Sequence, residues 1–179
     1  MKQTKKRVLA IILSFAMMTI SMTFNVKAEE APPVPPTLEE YGEPISVITY
    51  EDEYGNRITE SLYSYSPTYA RSDSGSQWFR ATKEYEWAGK FNKTTYYAEG
   101  YFTWGNGEVD VQYERGGYDY IPETQTVVSE ETKRGKGKYI GIFNNYASVT
   151  YTFTTTSAVG MTPASYSVTV RVSESGNQI

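Results

Sequence analysis

The sequence predicts an all-β protein, an antiparallel β-sandwich of about seven to nine short strands, with a closed or partly open β-barrel as the alternative. Three observations predict it. From Ile45 onward, β-branched and aromatic residues alternate with polar ones at a period of two. Gly and Asn punctuate these runs at short intervals, where turns need them. No stretch beyond the N-terminal leader sustains a 3.6-residue apolar period, so little helix is expected.

The first 28 residues read as a secretory signal peptide. Met1 to Arg7 is a basic head, Val8 to Phe24 is apolar, and Val26 and Ala28 stand where a signal peptidase reads. Cleavage is expected before Glu29. An uncleaved anchor is the alternative, but the apolar run is at the short end for a membrane span, and no second run approaches that length. Residues 29–44 read as a Pro-rich linker, since Pro32, Pro33, Pro35 and Pro36 favour an extended chain. Residues 45–179 then form a single all-β domain.

Within that domain Ile45 to Tyr50 and Arg57 to Tyr65 flank a hairpin tip at Gly55-Asn56. Pro67 to Gln77 is a polar loop, and Trp78 to Trp87 a strand ended by a turn at Ala88-Gly89-Lys90. Phe91 to Trp104 is the clearest strand. Tyr96, Ala98, Gly100, Phe102 and Trp104 share the inward parity, and Tyr97, Glu99, Tyr101 and Thr103 the outward one. Gly105-Asn106-Gly107 turns the chain, and Val109, Val111 and Tyr113 are expected to point inward on the return. Gly116-Gly117 is expected to break that run. Thr124 to Glu130 reads as a strand, Thr132 to Gly137 as a basic turn, and Lys138 to Asn144 as a further strand, or as one long strand with Tyr146 to Thr156 interrupted near Asn144-Asn145. Two long strands close the chain. Ala147, Val149, Tyr151 and Phe153 face inward on one, and Tyr166, Val168, Val170 and Val172 on the other. Their opposite faces are nearly pure Ser and Thr and are expected to meet solvent.

Charge and composition narrow the function. Five of the 17 basic residues and none of the 21 acidic ones lie in the leader, so the processed chain carries a net charge of −9. Such a chain is repelled by nucleic acid, which is excluded as a partner class. The lysine-rich leader resembles those of exported proteins of Gram-positive bacteria, so a secreted, extracellular location is expected. With no Cys, stability must come from core and sheet. With no His either, histidine-based triads, Cys–His dyads and the usual zinc sites are unavailable. No metal and no cofactor is expected. Paired-carboxylate hydrolysis is the surviving catalytic option, with Glu99, Glu108 and Asp110 as its members. Surface acids on a sheet explain the same residues more simply, so no catalytic residue is assigned and the chain is read as a non-enzyme. Glu51-Asp52-Glu53 does not match a calcium loop, because neighbouring strand residues point apart. Asn92-Lys93-Thr94 has the form of a glycosylation acceptor but is read as coincidence.

Tyrosine is the unusual residue, with 17 copies, all beyond the leader. Tyr97 and Tyr101 are expected to stand exposed together on one strand face, able to stack on a sugar ring or dock a partner. Trp78, Trp87 and Trp104 plug core edges or line a groove. Lys133, Arg134, Lys136 and Lys138 form a basic cluster able to meet an anion. The reading is a secreted binding module for a glycan, a cell-wall polymer or a protein. A β-barrel pore-forming toxin, with Ser148 to Thr156 in its barrel hairpin, is one alternative. A surface immunity or protective factor is the other.

Overall fold

The computed structural model describes residues 33–65, 74–87, 93–138, 145–157 and 163–179. The expected leader, most of the loop expected over 67–77, the turn expected at 88–90, Asn92 and most of the strand expected over 138–144 lie outside them. The described chain forms two antiparallel sheets that are not closed into a barrel. β1 (Ser46–Glu51), β2 (Arg57–Tyr65), β3 (Gly75–Glu86), β4 (Lys93–Gly105) and β5 (Glu108–Tyr120) make a five-stranded sheet in sequence order. β6 (Gln125–Lys138), β7 (Asn145–Ser157) and β8 (Ala164–Ser173) make the second. The second sheet packs on β3, β4 and β5. This is the sandwich that the two-residue period predicts.

The core is where the inward parities meet. Ala98, Phe102, Val149, Phe153, Val170 and Val172 are all but fully buried between the sheets. Phe153 anchors an aromatic cluster, with Tyr166 at 5.0 Å and Tyr96 at 5.1 Å between ring centres. Such ring pairs add to simple burial. Trp87 closes one end of this core against Tyr85 and Tyr166. The Ser/Thr faces of β7 and β8 pair hydroxyl to hydroxyl, Thr150 with Thr169 and Thr154 with Ser165. No described helix is long and apolar enough to cross a membrane.

Four expectations need correction. The β4–β5 hairpin turns on Asn106 (φ 56°) and Gly107 (φ 77°) as expected, but Tyr113 does not point inward. Phe102 pairs with Val111 and Tyr101 with Tyr113, so Gln112 is an extra residue that flips the parity. Gly116-Gly117 does not break β5, which runs on to Tyr120. Gly116 is bare because a Cβ there would enter the Tyr151 ring across the sandwich. Thr132 to Gly137 is not a turn but lies within β6, paired with β7 throughout. Its glycines leave room for neighbours: a Cβ on Gly135 would meet Ser148 Oγ at 2.6 Å, and one on Gly137 the Tyr146 hydroxyl at 2.5 Å. The first hairpin turns at Glu53-Tyr54, with Gly55 (φ 76°) following, not at Gly55-Asn56.

The stretch read as linker also carries structure. Leu38–Tyr41 forms a short helix, α1, begun by a Thr37–Glu40 capping box. Its last residue, Tyr41, is buried edge-on against Tyr63 and Tyr65 of β2, each ring 6.1 Å away.

The β1–β2 hairpin is clamped by Asp52. Its carboxylate accepts from the Asn56 side chain and backbone, the Tyr54 N–H and the Tyr85 hydroxyl. The Asn56 side chain, followed by these other bonds, holds the Asp52 carboxyl down at about 2. Burial, and then Asp52 itself, push the Tyr85 phenol up to about 12. The depressed acid stabilises the fold above its ordinary value of 3.8 and loses that contribution as pH falls towards 2. The raised phenol stabilises below its ordinary value of 10.0 and loses that contribution as pH rises through 12. The melting temperature, followed against pH, is expected to drop in both windows, and Asp52→Asn to flatten the acid step. A variant with an unaltered acid step would show that the clamp stabilises nothing.

Candidate functional site

The outer face of the five-stranded sheet, turned away from the second sheet, is built from two adjoining cross-strand rows. Strand register makes both. The first runs Tyr63, Arg80, Glu99, Arg115 across β2, β3, β4 and β5. The second runs Tyr65, Trp78, Tyr101, Tyr113 across the same strands.

The first row is ionic. Glu99 has no solvent exposure although it points away from the core. Arg80 approaches it to 3.4 Å and Arg115 to 2.6 Å, from opposite sides. Arg80 also reaches Asp119 at 2.8 Å and lies 3.6 Å over the Tyr97 ring. Burial pushes the Glu99 carboxyl up, against the pull of Arg115 and Arg80. Burial and the Glu99 charge likewise push the Tyr41 phenol far up. Taking a carboxylate out of water is costly, and its arginines only partly offset that cost.

The second row is aromatic. Trp78 and Tyr101 are 5.6 Å apart, and Tyr101 and Tyr113 6.4 Å, in tilted contact. Four strands at ~4.8 Å spacing make the row roughly 14 Å long. Trp78 is buried as its floor, while Tyr65, Tyr101 and Tyr113 are half-buried beside it. Tyr101 donates its hydroxyl to Ser76 at 2.7 Å. Among the described residues, the indole N–H groups of Trp78 and of Trp104, which packs against the core, and the Tyr41 hydroxyl are buried without a hydrogen-bond partner. Orphan donors of this kind are uncommon and call for an explanation.

Tyr97 and Tyr101 share the outward face, as their parity predicts, and both are half-buried. They do not form one flat pair: Tyr97 lies beneath Arg80, and Tyr101 belongs to the aromatic row. The basic residues are dispersed along β6. Arg134 pairs with Glu114 and donates to the Val111 carbonyl, Lys136 pairs with Asp110 at 3.2 Å, and Lys133 with Glu131 at 2.8 Å. Lys138 is exposed at the strand end. Lys133 has the opposite parity to the other three, so the four do not converge on one anion. Arg134 and Lys136 instead tie β6 to β5 at the open side of the sandwich. Glu108, Asp110 and Lys136 border a shallow open groove of about 450 Å³ with Trp104 and Asn106.

Sequence reasoning missed Arg80, Arg115, Tyr65, Trp78 and Tyr113 as members of a shared face. A signal was present for two of them. Trp78 and Arg80 alternate with the inward Phe79 and Ala81, which already sets their parity. Nothing local shows which residues stand opposite across strands. In comparisons with known proteins, no family model, no curated protein and no solved structure matches the chain.

Replacing Arg80 by Met strands the buried Glu99 carboxylate with one partner that is itself 45% exposed. Urea denaturation is expected to show a loss of ~3–5 kcal/mol at neutral pH, shrinking as pH falls and Glu99 takes up a proton. The triple variant Arg80→Met, Glu99→Leu, Arg115→Met is expected to recover most of that loss. A single-variant loss under ~1 kcal/mol, within the range of a surface pair, would contradict the ladder's role.

Proposed function

We propose that the chain is a non-enzymatic, extracellular carbohydrate-binding module whose ligand lies along the aromatic row of the five-stranded sheet. The single observation that carries this reading is the register of Tyr65, Trp78, Tyr101 and Tyr113 in one line. Aromatic rings offer apolar faces to the C–H faces of sugars at low entropic cost, and phenols add hydrogen bonds at their rims. The ionic row beside them is fixed by mutual pairing, so it presents oriented donors without rearrangement. A secretory leader fits a role outside the cell.

The non-enzymatic part rests on the surroundings of the acids. Glu99 is flanked by arginines, not by a second carboxylate, and Asp110, which borders a shallow open groove with Glu108, is engaged by Lys136. Paired-carboxylate hydrolysis needs two acids facing one bond. The pore-forming reading has less support. Ser148 to Thr156 lies in β7, the central strand of its sheet, with Ala147, Val149, Tyr151 and Phe153 in the core. Releasing it would empty the sandwich.

Affinity electrophoresis in a panel of soluble neutral and acidic polysaccharides tests the reading. At least one polymer is expected to retard the protein. Tyr101→Ala combined with Tyr113→Ala is expected to weaken that retardation about tenfold, the equivalent of ~1.4 kcal/mol. Lys133→Ala with Lys138→Ala, on the other sheet, is expected to leave it unchanged. No retardation by any polymer, or retardation indifferent to the tyrosine pair, would contradict it.

A further inference from the structure

Among the described residues four strands form sheet edges, and three of them are blunted. β5 is flanked by β6 side chains, with Arg134 donating to the Val111 carbonyl at 3.0 Å. β6 carries Glu130, Glu131, Lys133, Arg134, Lys136 and Lys138 and a bulge between Val127 and Ser129. β8 is partly covered by the chain end, through a Val172–Gln178 bridge and an Ile179 N–H bond to the Arg171 carbonyl. Charges, bulges and covering segments are the usual devices that keep an open edge from pairing.

β1 has only one of them, a single charge. Its sequence, Ser46-Val47-Ile48-Thr49-Tyr50-Glu51, holds one charge, at its end, with no Pro and no bulge. Ile45, Val47, Ile48 and Tyr50 are 58, 53, 58 and 41% exposed. Among the described residues the second sheet packs on β3 to β5, so no described layer covers the inner face of β1. Concentrated apolar exposure along an unprotected edge marks an interaction site.

The edge is self-complementary. The Asp52 N–H bonds to the Asn56 carbonyl at the hairpin end. Antiparallel ladders alternate, so Tyr50 and Ile48 turn their backbone groups to β2, and Val47, Thr49 and Glu51 turn theirs to the open edge. We propose that this edge is the two-fold interface of a homodimer. β1 of one copy pairs antiparallel with β1 of a second, about an axis through Thr49, and the two five-stranded sheets become one continuous sheet. In this register Thr49 meets Thr49, Ile48 meets Tyr50 of the second copy, and Val47 meets Glu51. All edge-facing backbone groups from Val47 to Glu51 find partners. Ile–Tyr and Thr–Thr are favourable cross-strand pairs. The charge pattern permits a second copy: each Glu51 faces Val47, and the two Glu51 side chains stand four residues apart, roughly 13 Å, beyond the Debye length of about 8 Å. The same residue on both sides is what a two-fold contact requires.

Sedimentation velocity over a concentration series into the high-micromolar range tests this with the purified protein. The wild type is expected to sediment as a dimer. Thr49→Lys and Thr49→Glu each set like charges face to face at the axis and are expected to sediment as monomers. An equimolar mixture of the two is expected to restore the dimer. Thr49 is exposed, and circular dichroism checks that each variant folds. Thr49→Cys introduces the sole thiol of the chain and needs no charge in the sheet. Facing Cα atoms about 5.5 Å apart lie within disulfide range, so oxidation is expected to yield a covalent dimer. A wild type that stays monomeric throughout, including one that instead captures a foreign strand, would overturn the proposal. So would a dimer that survives Thr49→Lys and is not crosslinked through Thr49→Cys.

Discussion

A carboxylate with no solvent exposure sits on the outer face of a sheet, and the arrangement of that face follows from it. Glu99 cannot be stripped of water alone. It is tolerated because strand register brings Arg80 and Arg115 to either side of it. Arg80 is held in turn by Asp119 and by the Tyr97 ring. The neighbouring row of Tyr65, Trp78, Tyr101 and Tyr113 inherits the same register, so its ring spacing is fixed by ladder hydrogen bonds and not by loop conformation. A face set on strands is better preorganised than one set on loops.

The sandwich supplies the rigidity without crosslinks. No cysteine is present, and the two sheets are joined by an aromatic cluster around Phe153 and by ion pairs from β6 to β5. The basic residues of β6 thus have a structural use. Lys136 and Arg134 neutralise Asp110 and Glu114 and close a side of the sandwich that backbone pairing leaves open.

The inward parity of β4, β7 and β8 was legible, because alternation survives wherever one face is buried. What escaped depends on events that alternation does not encode. The extra residue at Gln112 reversed Tyr113, and only the partner strand reveals a bulge. Gly116, Gly135 and Gly137 look like turn signals, yet they make room for Tyr151, Ser148 and Tyr146. The helix at Leu38–Tyr41 left a readable trace in Thr37 and Glu40, an N-terminal capping pair obscured by the prolines before it. For the site, Tyr97, Glu99 and Tyr101 were placed on the correct face. Their partners on β2, β3 and β5 were not, because cross-strand register is a property of the fold.

The proposed function requires the outer face of the five-stranded sheet to be the surface that meets a ligand. The three tryptophans make that measurable, since Trp78 lies on this face while Trp87 and Trp104 pack against the core. A heteronuclear NMR titration of the indole N–H signals with a retained polysaccharide separates them. Binding along the aromatic row is expected to give a dose-dependent shift at Trp78, with Trp87 unmoved. A shift at Trp87 or Trp104 with Trp78 silent would contradict it.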